Sequence, residues 1–296
     1  MKVPAEFDSY HRRILKDEYF KFMQYFMKPQ ERQSIRVNTL KSDMRQVKRI
    51  LAEHAVQYGP VKWCQDGLWV NSQSLDYMEH QLGLYYIQSA SSMIAPQVLG
   101  RGERVLDLCA APGGKSTHLA QLMGNRGLLV ANDNNPARIR GLVYNIQRCG
   151  VTNAVVTMLD GCRIDREGER FDRILVDAPC SSVGTLRQSM EVLRKWSLEW
   201  VRQLNVIQKK MILSGFDSLA DGGRLVYSTC TTTVEENEHV IEYLLRERGK
   251  ARLEKVKLDG IKLRHGLTEK TFDCARVYPQ DNDTEPHFIA EVVKGG

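Results

Sequence analysis

The hydrophobic pattern changes its period partway along the chain. Between residues 7 and 26, Phe7, Tyr10, Ile14, Leu15, Phe22, Met23 and Phe26 fall on one helical stripe, which predicts a packing helix stopped in the Pro29 region. SIRVNTL at 34–40 alternates instead, with Ile35, Val37 and Thr39 set against polar neighbours, as a half-buried strand does. A helix with Met44, Val47, Ile50 and Leu51 inward follows, then short strands near Gly67 to Val70 and Leu84 to Gln88. Residues 1–85 therefore predict a small accessory α+β domain around a β-α-β unit.

From Arg104 short apolar tracts alternate with helical stripes. The order is strand VLDL, helix 115–123, strand LLVAN, helix 136–148, strands AVVTML and RILVDA, helix 198–219, strand RLVYST and helix 234–247. Strands this apolar belong to a mostly parallel sheet covered on both faces, so residues 86–296 predict an α/β, Rossmann-like domain. Thr233 and Glu236 stand in capping-box spacing at the start of the last helix. CARVYP and HFIAEVV flank a polar segment and read as an antiparallel C-terminal hairpin at the sheet edge.

Composition narrows the class. With 296 residues the chain can bury a large core without a staple. Seven scattered cysteines without CxxC spacing indicate neither a disulfide framework nor a metal cluster, and a reducing compartment suits them. No secretory leader and no membrane-length apolar stretch is evident, so a cytoplasmic protein is expected. The net charge of +6 is compatible with a polyanionic partner.

The chemistry gathers at the strand ends. LDLCAAPGGK lies where the first strand of the large domain gives way to a helix, the usual ligand position in open α/β sheets. Gly113 and Gly114 allow a tight turn and close approach, yet neither GxGxxG nor the GxxxxGK[ST] spacing is present, which favours a nucleoside without a phosphate chain. Asp133 after LLVAN suits ribose hydroxyls, and Asp160 after the third strand suits an adenine amino group. Cys180 follows RILVDAP and Cys230 ends RLVYSTC, so both thiols stand beside one crevice. Two thiols and an acid, Asp177, fit methylation at carbon 5 of a pyrimidine: a thiolate added to carbon 6 activates carbon 5, and an acid near nitrogen 3 stabilises the charge.

These motifs resemble the NOP2/Sun (Fmu/RsmB-type) RNA 5-methylcytosine methyltransferases. DLCAAPGGKSTHLA, DAPCSS and YSTCTTTVEENE carry the likeness, and SIRVNTL, YYIQSASSMIAPQVL and RVYPQDNDTEPHFIAEVVK match in order, over roughly 34–294. The resemblance implies S-adenosyl-L-methionine held by Cys109, Ala110, Ala111, Pro112, Gly113, Gly114 and Lys115, with Asp133, Arg138, Asp160 and Asp177 around it. It implies Cys230 as nucleophile, Cys180 assisting product release, and Lys115 positioning Asp177. Arg36, Asn38 and Arg187 are the expected RNA contacts, and the first domain resembles the family's small RNA-recognition-like domain. Transfer RNA is favoured and ribosomal RNA is the alternative, for a monomer without metal; a catalytically idle RNA-binding assembly factor is the reading from another class.

Two departures stand out. The loop GTLRQSMEVLRKW lacks the family's usual proline, and HFIAEV stands where GFFIAKL is more usual. Both are expected to alter substrate fit while leaving thiols and cofactor loop untouched.

Overall fold

In the computed structural model, residues 3–28, 32–71, 75 and 77–296 are described; Pro29 lies outside them. The N-terminal stripe forms two helices, Ala5–Leu15 and Tyr19–Met27, rather than one, because the chain breaks at Lys16 with a positive φ of 50°. Phe7, Tyr10, Phe22, Met23 and Phe26 are buried against Val183, Leu186, Trp196, Val201 and Tyr278. The first helices thus complete the body formed by the second half of the chain.

Four short strands come next: β1 (Gln33–Val37), β2 (Tyr58–Pro60), β3 (Gly67–Val70) and β4 (Tyr85–Ile87). They form an antiparallel sheet in the order β2-β3-β1-β4. The helix Met44–Glu53 follows β1, with Asp43 as cap accepting from the Gln46 backbone N–H, and buries Val47 and Leu51 in this sheet's own core. β2 escapes the sequence pattern because it is three residues long and ends on a proline. β4 pairs with β1, so the small sheet runs on to Ile87 and the expected boundary after residue 85 falls inside it.

The large sheet contains β5 (Arg104–Asp107), β6 (Leu128–Asn132), β7 (Ala154–Thr157), β8 (Phe171–Asp177), β9 (Leu219–Thr229), β10 (Ala251–Glu254), β11 (Arg264–His265), β12 (Ala275–Val277) and β13 (His287–Lys294). Their order is β11-β12-β13-β9-β8-β5-β6-β7, with β10 also paired to β13. β7, β6, β5, β8 and β9 run parallel, and β13 is antiparallel to β9. Leu119 and Ile94 lie in the core on one face, and Ile212, Phe216 and Ile241 in the core on the other, which makes the three layers of a Rossmann-like fold. The C-terminal hairpin is present, but β13 is internal, flanked by β9, β10 and β12, and the fold is closed by β11 instead. The chain turns back between β5 and β8, so the carboxyl ends of these strands open onto the topological switch point.

The helix Glu238–Glu247 starts later than predicted, after Asn237. Glu236 is withdrawn from the capping role because its carboxylate is engaged elsewhere. At the helix start, Glu238 makes a bidentate pair with Arg276 of β12, at 2.6 and 2.5 Å, and both side chains are almost wholly buried. Removing one partner leaves a buried charge unmatched, which costs far more than the pair contributes. Glu238→Ala is therefore expected to lower unfolding free energy by about 3–5 kcal/mol in a denaturant titration, with Glu238→Met/Arg276→Met costing much less. A loss below about 1 kcal/mol for Glu238→Ala would contradict this account of the pair.

Candidate active site

The cofactor loop leaves β5 at Asp107 and enters the helix Gly114–Met123. Gly113 has φ +108°, a conformation that L side chains rarely adopt, and a Cβ there would come within 3.2 Å of Leu142. At Gly114 a Cβ would press on the Tyr86 ring at 3.4 Å. The cavity of about 200 Å³ beside this loop is lined by Tyr86, Gln88, Cys109, Ala110, Ala111, Pro112, Gly114, Lys115 and Asp177 among others. Lys115 is its one cationic lining residue and donates to Asp177 Oδ2 at 2.7 Å. Asp107, buried and outside that lining, accepts from Ser116 at 2.7 Å through Oδ2, while its Oδ1 has no partner among the described residues; burial chiefly pushes its pKa up to about 7.

A loop with close-approach glycines and, among the described lining residues, a single, already paired cation beside the Asp177 carboxylate suits a cationic nucleoside and does not suit a polyphosphate. Asp133, Arg138 and Asp160 stand outside that lining. Asp133 accepts from the backbone N–H groups of Ala111, at 3.2 Å, and Asn135, at 3.0 Å, and Arg138 lies 3.3 Å from it while donating to the Ala111 carbonyl. They brace the cofactor loop from behind. Asp160 caps the turn after β7 by accepting from Cys162 N–H at 2.9 Å and stays half exposed.

At the adjacent strand ends the two sulfurs meet: Cys180 Sγ and Cys230 Sγ are 3.4 Å apart, both unoxidised. Asp177 receives Lys115 on one oxygen and the Ser228 hydroxyl on the other, each at 2.7 Å. Burial works against charge on both Lys115 and Asp177, but each outweighs that for its partner, so the lysine pKa is raised and the carboxylate pKa lowered. The hydrogen bond between the thiols divides them: it pulls Cys230 down, with Lys115 assisting, and drives Cys180 up together with burial. Either sulfur can donate in this contact; with Cys180 as the S–H donor, Cys230, whose anion Lys115 also favours, is the sulfur suited to be thiolate.

Glu236 fixes this arrangement. Its buried carboxylate receives Ser181 N–H at 2.8 Å, Ser181 Oγ at 2.6 Å, Thr233 Oγ1 at 2.6 Å and Gln208 Nε2 at 3.1 Å. The residue after Cys180 and the loop after Cys230 therefore share one anchor. Gly184 N–H donates to the Cys230 carbonyl at 2.7 Å, and a Cβ on Gly184 would lie 2.9 Å from that oxygen. The GTLR segment therefore touches the Cys230 backbone through Gly184, ahead of the part of the loop that lacks the usual proline.

Arg36 and Asn38 are not available to RNA in this conformation. Arg36 is wholly buried and donates to Gln88, Gln121, Thr117 and the Gly114 carbonyl, clamping β1 to the cofactor helix. Asn38, also buried, donates to the carbonyls of Gly83 at 2.7 Å and Cys149 at 2.8 Å. Alternation alone could not separate an outward arginine from one turned into a polar domain junction. Arg187 does line open space, a cleft of about 800 Å³ that also includes Tyr25, Lys28, Arg32 and Trp69 and shares Ile87, Gln88 and Ser89 with the lining of the cofactor cavity. Its guanidinium lies 3.6 Å from the Tyr25 ring centre and donates to the Tyr25 carbonyl. Ser228, Asp107, Glu236 and His287 were missed as site residues; Ser228 was legible, since it precedes Cys230 by two positions and so shares its face.

The fold and crevice define a Rossmann-like methyltransferase carrying two thiols and a small β-rich appendage. Residues 93–293 match the family of 16S rRNA methyltransferase RsmB/F, and residues 3–90 match the N-terminal domain of 16S rRNA methyltransferase RsmF. A tRNA (cytosine(49)-C(5))-methyltransferase of Pyrococcus abyssi is 40% identical over 99% of either chain. The ribosomal RNA small subunit methyltransferase F of Vibrio cholerae is 41% identical over 89% of this chain, which spans only 58% of that longer protein. A solved methyltransferase homologue from Pyrococcus horikoshii superposes with a TM-score of 0.85 at 32% identity, covering 97% of this chain and 94% of the other. The chain belongs to the RsmB/F, or NOP2/Sun, family of RNA cytosine-5 methyltransferases, which use S-adenosylmethionine.

With Cys180 as donor and Lys115 favouring the Cys230 anion, alkylation by iodoacetamide is expected to strike Cys230 first, with a pH midpoint below the ordinary thiol value of about 8.5. In Cys180→Ala that midpoint should rise, as read by peptide mapping across pH. Faster alkylation of Cys180 would reverse the assignment.

Proposed function

We propose that this enzyme methylates carbon 5 of cytosine in transfer RNA through a covalent adduct of Cys230. When bound, S-adenosylmethionine supplies an electrophilic methyl group. Cys230 thiolate adds to carbon 6 of the base, and the ring electrons move onto carbon 5, which takes the methyl group. Asp177, held ionised by Lys115 and Ser228, accepts from the amino group of the base and so orients it, while the Lys115 ammonium beside it stabilises the negative charge that develops on the ring. The carbon 5 proton then passes to water, the C–H bonding pair restores the 5,6 double bond, and the carbon 6–sulfur bond breaks with its pair returning to Cys230 as thiolate, with Cys180 assisting. The crevice beside Ala110 to Lys115 is the donor's place in this reading; Asp133 and Asp160 stand outside its lining, so their expected contacts with ribose and adenine require the donor to reach past the loop toward the ends of β6 and β7.

The contact between the two thiols, with the lowered Cys230, carries the catalytic part of the reading. An RNA-binding protein without chemistry has no use for a thiolate poised beside a paired carboxylate. Transfer RNA is favoured because the Pyrococcus abyssi relative aligns over nearly its full length. The family descriptions name 16S rRNA, which keeps ribosomal RNA as the second reading. The cleft that shares lining residues with the cofactor cavity suits the flipped base's strand, since Arg187 over Tyr25 and Arg32 over Trp69 give it charge and stacking surface together. Arg32 also pairs with Asp283 of the same cleft, at 2.8 Å, which leaves Arg187 and Lys28 as its stronger phosphate contacts, while Lys195 pairs with Glu191, and Arg248 with Asp217, on solvated helix faces. Residues 1–85 as an accessory RNA-binding unit, and a monomer acting in the cytoplasm, belong to the same reading. Among the described residues no helix is long and apolar enough to cross a membrane.

Bisulfite mapping of total RNA with and without the gene is expected to show one or a few resistant cytosines lost from transfer RNA. Loss confined to ribosomal RNA would favour the second reading, and no loss anywhere would count against the function. Cys230→Ala should abolish methyl incorporation, whereas Cys180→Ala should leave protein covalently attached to RNA on a denaturing gel when the donor is present. Absence of that adduct would contradict the roles assigned to the two thiols.

A further inference from the structure

His287 opens β13, and its surroundings place it inside the reaction centre. β13 sets Phe288 opposite Thr229 and Ile289 opposite Ser228, so by the same register His287 continues beside Cys230. Side chains alternate along a strand, which puts His287 on the face that carries Ser228 and Cys230. That is also the face of Asp177, since Ser228 stands opposite Asp177 in β8 and donates to its carboxylate. The imidazole is 3% exposed, and neither ring nitrogen has a hydrogen-bond partner among the described residues. Burial first, and the Lys115 charge next, hold its pKa down to about 3, so the ring is neutral and carries one donor and one acceptor. The departure HFIAEV is therefore not remote from the site, contrary to the sequence expectation.

A buried polar ring left wholly unmatched is costly unless a bound molecule completes it. The reaction centre otherwise offers the base mainly acceptors: ionised Asp177 can only accept, and Lys115 is engaged with it. Cytosine's polar edge carries acceptors, at nitrogen 3 and oxygen 2, beside its amino donor. We propose that His287 hydrogen-bonds the polar edge of the target cytosine and so positions and selects it for attack by Cys230. This rests on the function proposed above and adds a contact that the two thiols and Asp177 do not provide.

The test compares wild type, His287→Phe and His287→Gln in initial rates of methyl transfer into RNA from a strain lacking the gene. It also includes calorimetric binding of S-adenosylhomocysteine and thermal melting. His287→Phe is expected to lower kcat/KM for RNA about 10- to 100-fold. It should bind S-adenosylhomocysteine within about twofold of wild type and melt no lower, because a phenyl ring leaves no hydrogen bond unmade. His287→Gln, which restores a donor and an acceptor, should recover most of the rate. His287→Phe activity within twofold of wild type overturns the proposal, as does a rate loss that tracks weakened S-adenosylhomocysteine binding or a lower melting point, the mark of a merely structural role. If the phenyl variant does not fold, His287→Met is held to the same outcomes. A wild-type chain that puts no methyl on cytosine instead sinks the parent reading.

Discussion

One buried carboxylate holds the two thiols within reach of each other. Cys180 and Cys230 lie fifty residues apart on loops that leave neighbouring strands, and β8 and β9 alone fix only where those loops begin. Glu236 receives Ser181 on one side and Thr233 on the other, with Gln208 completing its coordination by donors. An ionised carboxylate away from water is unfavourable by several kcal/mol unless its lone pairs are filled, so this network is satisfied as a whole or fails as a whole. The same property that makes it costly makes it specific: the four donors come from three separate segments, at Ser181, Gln208 and Thr233, which must all be in place together.

The remainder of the molecule defends this contact from outside. The helix Ala5–Leu15 reaches the loop after Cys230 through Tyr10, which donates to Glu235 and accepts from Val234 N–H, and through His11, which meets Thr232 at 2.9 Å. Arg276 donates to the Thr232 carbonyl while pairing with Glu238. On the donor side, Arg36 ties the small sheet to the cofactor helix behind Tyr86. The chain's first residues and its last strands thus converge on the segment that follows the nucleophile, although nothing local in their sequences points there.

How far the sequence could be read follows from what each signal encodes. Period and composition carry the element order of the large domain, because each strand of a covered parallel sheet must be apolar, and the helices 136–148 and Leu198–Asp217 match their predicted starts through Asn135 and Ser197 caps. The glycine turn and both cysteines were legible because they end apolar tracts. Side-chain partners across the fold were not. Glu236 has the spacing of a capping residue and serves a different group; Arg36 alternates like a surface arginine and is buried; His287 differs from the family pattern by one residue in a tract that looks like ordinary strand. Each of these depends on contacts with residues tens to hundreds of positions away, which no local pattern records.

The central claim is that the two sulfurs share one contact in the folded chain, and a trivalent arsenical that bridges neighbouring thiols reads this directly. Titration with phenylarsine oxide should show one tight site per folded chain that blocks Cys180 and Cys230 together, and either Cys180→Ala or Cys230→Ala should abolish it. Failure to bind, or binding that survives both substitutions, would contradict the arrangement on which the mechanism rests.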